Sequence, residues 1–148
     1  YSLLRRVGRL HKPVLLKRGM SATLEEFLMA AEYVMAEGNS QVVLCERGIR
    51  TLVEHSRSTL DLAAIPSIKR MSHLPIIADP SHGTGRRDKV AAMSKAALAA
   101  GADGLMIEVH QRPETALSDG QQAITPAEFE MLVHQLRKLS LALDRSIG

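Results

Sequence analysis

At 148 residues, with 45% hydrophobic and 24% charged side chains, the chain has the size and balance of one soluble globular domain that can bury a core. A net charge of +3, with two Tyr, two Phe and no Trp, excludes the basic stacking surface of a nucleic-acid binder and suits small anionic substrates. No apolar run is long enough for a membrane-spanning helix, and the single Cys45 excludes an internal disulfide framework and points to a reducing cytoplasm.

The opening YSLLRRVGRL places Leu3, Leu4, Val7 and Leu10 at helical spacing and lacks the apolar core of a signal peptide. It reads as the tail of an amphipathic helix, so further chain is expected upstream. PVLLK (13–17) is the first predicted strand. Thr23 and Glu26 form a capping box that starts a helix through about Glu37, stopped by Gly38 and Asn39. QVVLC (41–45) is the second strand, followed by a weaker helix over 61–72 with Pro66 near its first turn. PIIAD (75–79) is the third strand. An Ala-rich helix over 87–100 then ends at Gly101, a left-handed cap. GLMIEV (104–109) is the fourth strand. Thr125 and Glu128 form a second capping box, with Pro126 at the first helical position, and the helix runs to about Leu143.

Strands that are apolar throughout and alternate with helices predict an α/β fold with a parallel sheet and right-handed crossovers. Four such units fit a small open doubly wound sheet or half of an eight-fold barrel. No linker or low-complexity segment interrupts residues 1–148, which read as one unit.

In parallel α/β folds the chemistry collects beyond the carboxyl ends of the strands. Lys17 and Arg18 end the first strand here, and Glu46 and Arg47 the second. Asp79 and His82 follow the third, Glu108 and His110 end the fourth, and Asp119 lies on the loop before the last helix. The amino ends, by contrast, read KP, NSQ, LP and ADG. His82, Glu108 and Asp119 supply an imidazole and two carboxylates, a set suited to Mn²⁺, Fe²⁺, Co²⁺ or Zn²⁺ with room for a substrate oxygen. Lys17 and Arg47 point to the same centre, where their charge would hold phosphate and carboxylate groups. GTGRR (83–87) offers glycine amides and two arginines, Arg86 and Arg87, as a phosphate contact, without P-loop spacing. Cys45 is a candidate fourth metal ligand, but two residues before Arg47 it falls on the same face one layer deeper, where a buried core residue is expected.

KPVLLKRGM, LCERGIRT, DPSHGTGRRD and GLMIEVHQRPETALSDG together resemble the metal-dependent 3-deoxy-D-arabino-heptulosonate 7-phosphate (DAHP) synthases of type I. The likeness is to the short branch related to the 3-deoxy-D-manno-octulosonate 8-phosphate synthases, and it runs the length of the chain. KRGM and the GRRD tail look like the DAHP branch. The resemblance implies a TIM (β/α)₈ barrel, of which this chain covers about the last four βα units. It also implies condensation of phosphoenolpyruvate with erythrose 4-phosphate, the first step towards the aromatic amino acids. In that reaction C3 of phosphoenolpyruvate attacks the aldehyde, water adds at C2 and phosphate leaves.

Carried over residue by residue, the resemblance makes His82, Glu108 and Asp119 three of four metal ligands and Lys17 and Arg47 the grip on phosphoenolpyruvate, with Lys17 and His82 catalytic. The family's ligand cysteine and most of its aldose-phosphate site have no match in these residues, so the 148-residue chain alone is expected to be inactive. The alternatives are an octulosonate synthase acting on arabinose 5-phosphate and a non-catalytic half-barrel assembly module. A half-barrel would also expose an inner face, expected to carry Leu16, Val43, Ile77 and Ile107 or their strand neighbours. Burying each such side chain is worth roughly 1.5–3 kcal/mol. The expected partner is therefore an N-terminal half or a second copy in a homo-oligomer.

Overall fold

The structure, a computed structural model, describes residues 1–147. Helix α1 (Ser2–Gly8) leads into β1 (Val14–Lys17), α2 (Leu24–Met35), β2 (Val42–Glu46), α3 (Ala64–Met71) and β3 (Ile76–Ala78). A short α4 (Pro80–Thr84) and α5 (Arg87–Ala99) follow, then β4 (Gly104–Leu105), a 3₁₀ turn over Pro113–Thr115, and α6 (Pro126–Ala142). The four strands pair in parallel in the order β1-β2-β3-β4. That order separates the two architectures open to four βα units. A doubly wound sheet reverses its strand order at a switch point. Right-handed crossovers that only advance keep the helices on one face, which is the arc of a barrel.

Register sorts the side chains into two faces. Leu16, Leu44 and Ile76 stand side by side and pack, with Val42 and Ala78, against Phe27, Ala31, Val34, Ile65 and Ile68 of the helices. The next row, Lys17, Cys45, Ile77 and Gly104, faces the other way. Two of the residues expected on the inner face are therefore corrected. Leu16 packs on the helix side, and Ile107 joins the Val90, Leu132 and Leu136 cluster under α5 and α6. Leu15, 39% exposed, takes the inner position beside Val43. A run that is apolar on both faces does not reveal the phase of its alternation, because only pairing sets it.

Both capping boxes form. Glu26 and Thr23 exchange amide-to-side-chain bonds of 3.1 and 2.8 Å, and Glu128 and Thr125 bonds of 3.3 and 2.7 Å. Gly101, at φ +100°, follows α5 in the left-handed conformation expected of it. Among the described residues no helix is long and apolar enough to cross a membrane.

Candidate metal and anion site

DPSH reads as a loop in the sequence but folds as the first turn of α4. Asp79 caps it, accepting the His82 amide N–H on Oδ1 at 2.9 Å. The other carboxylate oxygen, Oδ2, lies 2.8 Å from His82 Nδ1. Asp79 is fully buried, and a carboxylate at this distance favours the ring tautomer with its proton on Nδ1, which leaves the Nε2 lone pair for a ligand. Nε2 faces Glu108 Oε2 and Asp119 Oδ2, each at 3.9 Å.

The two carboxylates are braced as well. Ser81, buried in the same turn, accepts the Glu108 amide N–H at 2.9 Å. The buried Gln122 donates its side-chain amide to Asp119 Oδ1 at 3.1 Å, turning Oδ2 towards His82. Asp119 itself holds φ +57°, the left-handed region that Asp tolerates better than most non-glycine residues. One donor atom from each of His82, Glu108 and Asp119 lies within 4.8 Å of the others. Two donors on a cation with bonds of roughly 2 Å stand up to about 4 Å apart. Both His82 separations, at 3.9 Å, lie within that reach, and the imidazole-plus-carboxylate donor set suits a divalent ion of borderline hardness. The Glu108 and Asp119 side chains keep 38% and 35% exposure, so the centre stays open on one side.

Lys17 reaches the same place. Its Nζ lies 2.9 Å from Asp79 Oδ2, the oxygen that also receives His82 Nδ1. Arg47 is half-buried and follows Glu46 at the end of β2, on the face of Cys45 and Lys17 by strand alternation. Cys45 is fully buried between these groups. Its thiol is pushed up to about 12, by burial first and then by the Asp79 carboxylate, with Lys17 pulling the other way. It is a protonated core thiol, as its register implies, and not one of the converging donors.

Three strand-end residues lie elsewhere. Arg18 and Glu46 turn to the helix side and form a buried pair at 2.9 Å, joined by Asp61 at 3.0 Å from Arg18. His110 is exposed, and its Nδ1 accepts the Arg112 amide N–H at 3.1 Å. The two arginines after α4 are both ion-paired. Arg86 lies 3.0 Å from Asp88, and Arg87 grips Glu128 at 2.6 Å, tying the first turns of α5 and α6 together. The glycines of GTGRR serve packing: a Cβ on Gly83 would meet Leu60 at 2.6 Å and one on Gly85 would meet Arg57 at 2.6 Å. Ser81 and Gln122 are the site residues that the sequence did not reveal, and Asp79, placed at the third strand end, has no role assigned to it there. Of these only Asp79 carried a signal, an N-cap acid three residues before a histidine.

The DAHP synthetase I family model matches residues 1–145. The phospho-2-dehydro-3-deoxyheptonate aldolase of Thermotoga maritima is 52% identical over 148 residues, which are all of this chain and 44% of that protein. Identity falls to 32% for the 2-dehydro-3-deoxyphosphooctonate aldolase of Dichelobacter nodosus, over 86% of this chain and 49% of that protein. The crystal structure of the Thermotoga maritima aldolase, a DAHP synthase, superposes with a TM-score of 0.97 at 51% identity, across 99% of this chain and 44% of that one. A truncated form of the 3-deoxy-D-arabino-heptulosonate 7-phosphate synthase from the same organism gives the same TM-score and is covered to 56%. The chain thus spans about half the length of the curated relatives it matches. Its sheet is an arc of the TIM barrel, and the chain belongs to the DAHP synthetase I family.

Proposed function

We propose that residues 1–148 are the half-barrel that carries three metal ligands and the phosphoenolpyruvate grip of a DAHP synthase, which condenses phosphoenolpyruvate with erythrose 4-phosphate. The observation that carries this reading is the convergence of His82, Glu108 and Asp119 beside Lys17, with His82 and Lys17 bonded to one buried carboxylate, that of Asp79. The twenty-point gap in identity between the heptonate and octonate relatives, 52% against 32%, favours erythrose 4-phosphate over arabinose 5-phosphate as the second substrate.

His82, Glu108 and Asp119 would hold a divalent cation, which when bound supplies a Lewis acid for the aldehyde oxygen. The rest of the work belongs to the chain's own side chains. Lys17 and Arg47 hold the carboxylate and phosphate of phosphoenolpyruvate and offset the repulsion between two anionic substrates. Asp79 fixes the His82 tautomer and keeps Lys17 within reach of the centre. Arg86, with its side chain 54% exposed, is better placed than Arg87 to turn to a phosphate group.

The test is a condensation assay on the intact enzyme, with each aldose phosphate in turn, before and after chelation. Heptulosonate formation that chelator abolishes and Mn²⁺ or Zn²⁺ restores is expected. Preference for arabinose 5-phosphate would move the assignment to the octulosonate branch, and metal-independent turnover would remove the triad's role.

A further inference from the structure

Glu46 and Arg47 are neighbours in the chain. Glu46 stands in register with Ala78 on the helix side and is fully buried, whereas Arg47, the next residue, would by continued alternation turn to the inner face, where its charge acts on the Cys45 thiol. The Glu46 carboxylate does two things. Its Oε2 lies 2.9 Å from Arg18 Nη1, and its Oε1 accepts the amide N–H of Gly48 at 2.8 Å. The second bond closes a ring around Arg47, because the side chain of residue 46 is fastened to the backbone of residue 48. The backbone torsions on both sides of Arg47 are fixed as a result. The Glu46 carbonyl accepts the Asp79 amide N–H at 2.8 Å, which fastens the near side of the ring to the third strand end. Arg18 is in turn fixed by the Ala22 carbonyl at 3.0 Å and by Asp61 at 3.0 Å.

Stability alone does not account for this arrangement. Burying an ion pair costs so much desolvation that apolar residues of similar volume are often as good or better. Burial pushes the Glu46 carboxyl up, against the pull of Arg18 and the Gly48 amide. What a charged pair supplies and an apolar pair does not is direction. A guanidinium recognises carboxylate or phosphate through a planar fork, so the angle at which its stem leaves the backbone decides whether both donors reach.

We infer that Glu46, backed by Arg18, is a positioning residue for Arg47, setting the direction from which its guanidinium meets an anionic substrate. The inference rests on the reading of Arg47 as a phosphoenolpyruvate contact. It is tested by titrating phosphoenolpyruvate calorimetrically into the Mn²⁺-loaded intact enzyme as wild type, Glu46→Gln, Arg47→Ala and the double variant. Absence of binding by wild type, or unchanged binding by Arg47→Ala, defeats the reading of Arg47 and leaves a distinct signature. Given those two controls, Glu46→Gln should raise Kd about tenfold in the wild-type background and less than about twofold in the Arg47→Ala background. Mn²⁺ affinity should stay the same throughout, which a general loosening of the fold would not allow. Equal losses in both backgrounds, or no loss in the first, overturn the inference. The paired change Arg18→Met with Glu46→Met removes the clasp without stranding a buried charge, and the same pattern is required of it.

Discussion

Lys17 and His82 share a single oxygen atom: Asp79 Oδ2 lies 2.9 Å from Lys17 Nζ and 2.8 Å from His82 Nδ1. The first residue belongs to the proposed anion grip and the second to the candidate metal set, and they sit on different strand ends. A buried carboxylate that partners both joins two functions that sequence separates by more than sixty positions.

Removing that charge should disturb both functions. Asp79→Asn is nearly isosteric and leaves His82 free to adopt the wrong tautomer, so Mn²⁺ affinity should fall about 10–100-fold. Phosphoenolpyruvate binding should weaken with it. Calorimetric titration of each ligand into the variant measures both, and wild-type affinities for the metal would count against the role given to Asp79.

Arg47→Ala should cost about 1.5–3 kcal/mol of phosphoenolpyruvate binding, the range for a hydrogen-bonded charged partner, with little change in thermal midpoint. Parallel binding and melting curves decide the point. Loss of stability without loss of affinity would make Arg47 a structural residue.

Gly48 marks a close approach behind the site. At φ +93°, a Cβ there would stand 2.8 Å from Gly83 Cα and 2.9 Å from its carbonyl oxygen, and Gly83 is the residue after His82. Gly48→Ala should therefore destabilise by more than about 1 kcal/mol and weaken metal binding by shifting α4. Unchanged metal affinity in a folded Gly48→Ala protein would show that α4 does not depend on this contact.

Acid should loosen the junction of α5 and α6. The Arg87 guanidinium, together with the Thr125 amide, holds the Glu128 carboxyl below the usual carboxylate range. A depressed folded pKa means the stabilisation is present above the unfolded value of about 4.3 and is lost as pH falls through the folded value. The thermal midpoint of wild type should thus drop below about pH 4 more steeply than that of Glu128→Gln, which keeps the capping box but at neutral pH should already lack the Arg87 ion pair, worth about 0–1 kcal/mol at this exposure. Parallel acid profiles for the two proteins would contradict this.

Much of this organisation was legible in the sequence because it is local. Thr23–Glu26 and Thr125–Glu128 announce helix starts through bonds within one turn, and Gly101 announces a helix end through its own φ. His82, Glu108 and Asp119 could be grouped because strand carboxyl ends meet in any parallel α/β fold. What escaped is set by pairing or packing. The phase of β1, which sends Leu15 inward and Leu16 to the helices, depends on register with β2. The short helix α4 is hidden by its glycines, which serve contacts with Leu60 and Arg57. Arg18 and Glu46 look like rim charges, and only the fold reveals that they face away from the rim and hold each other.

Everything proposed for these 148 residues depends on His82, Glu108 and Asp119 holding one divalent cation. The most direct measurement is a crystal of the intact enzyme soaked in Zn²⁺, with anomalous data collected at the zinc edge. One strong peak is expected roughly 2.0–2.2 Å from His82 Nε2 and from one oxygen each of Glu108 and Asp119. A zinc peak elsewhere in the barrel, with these three side chains ordered and bare, would contradict it.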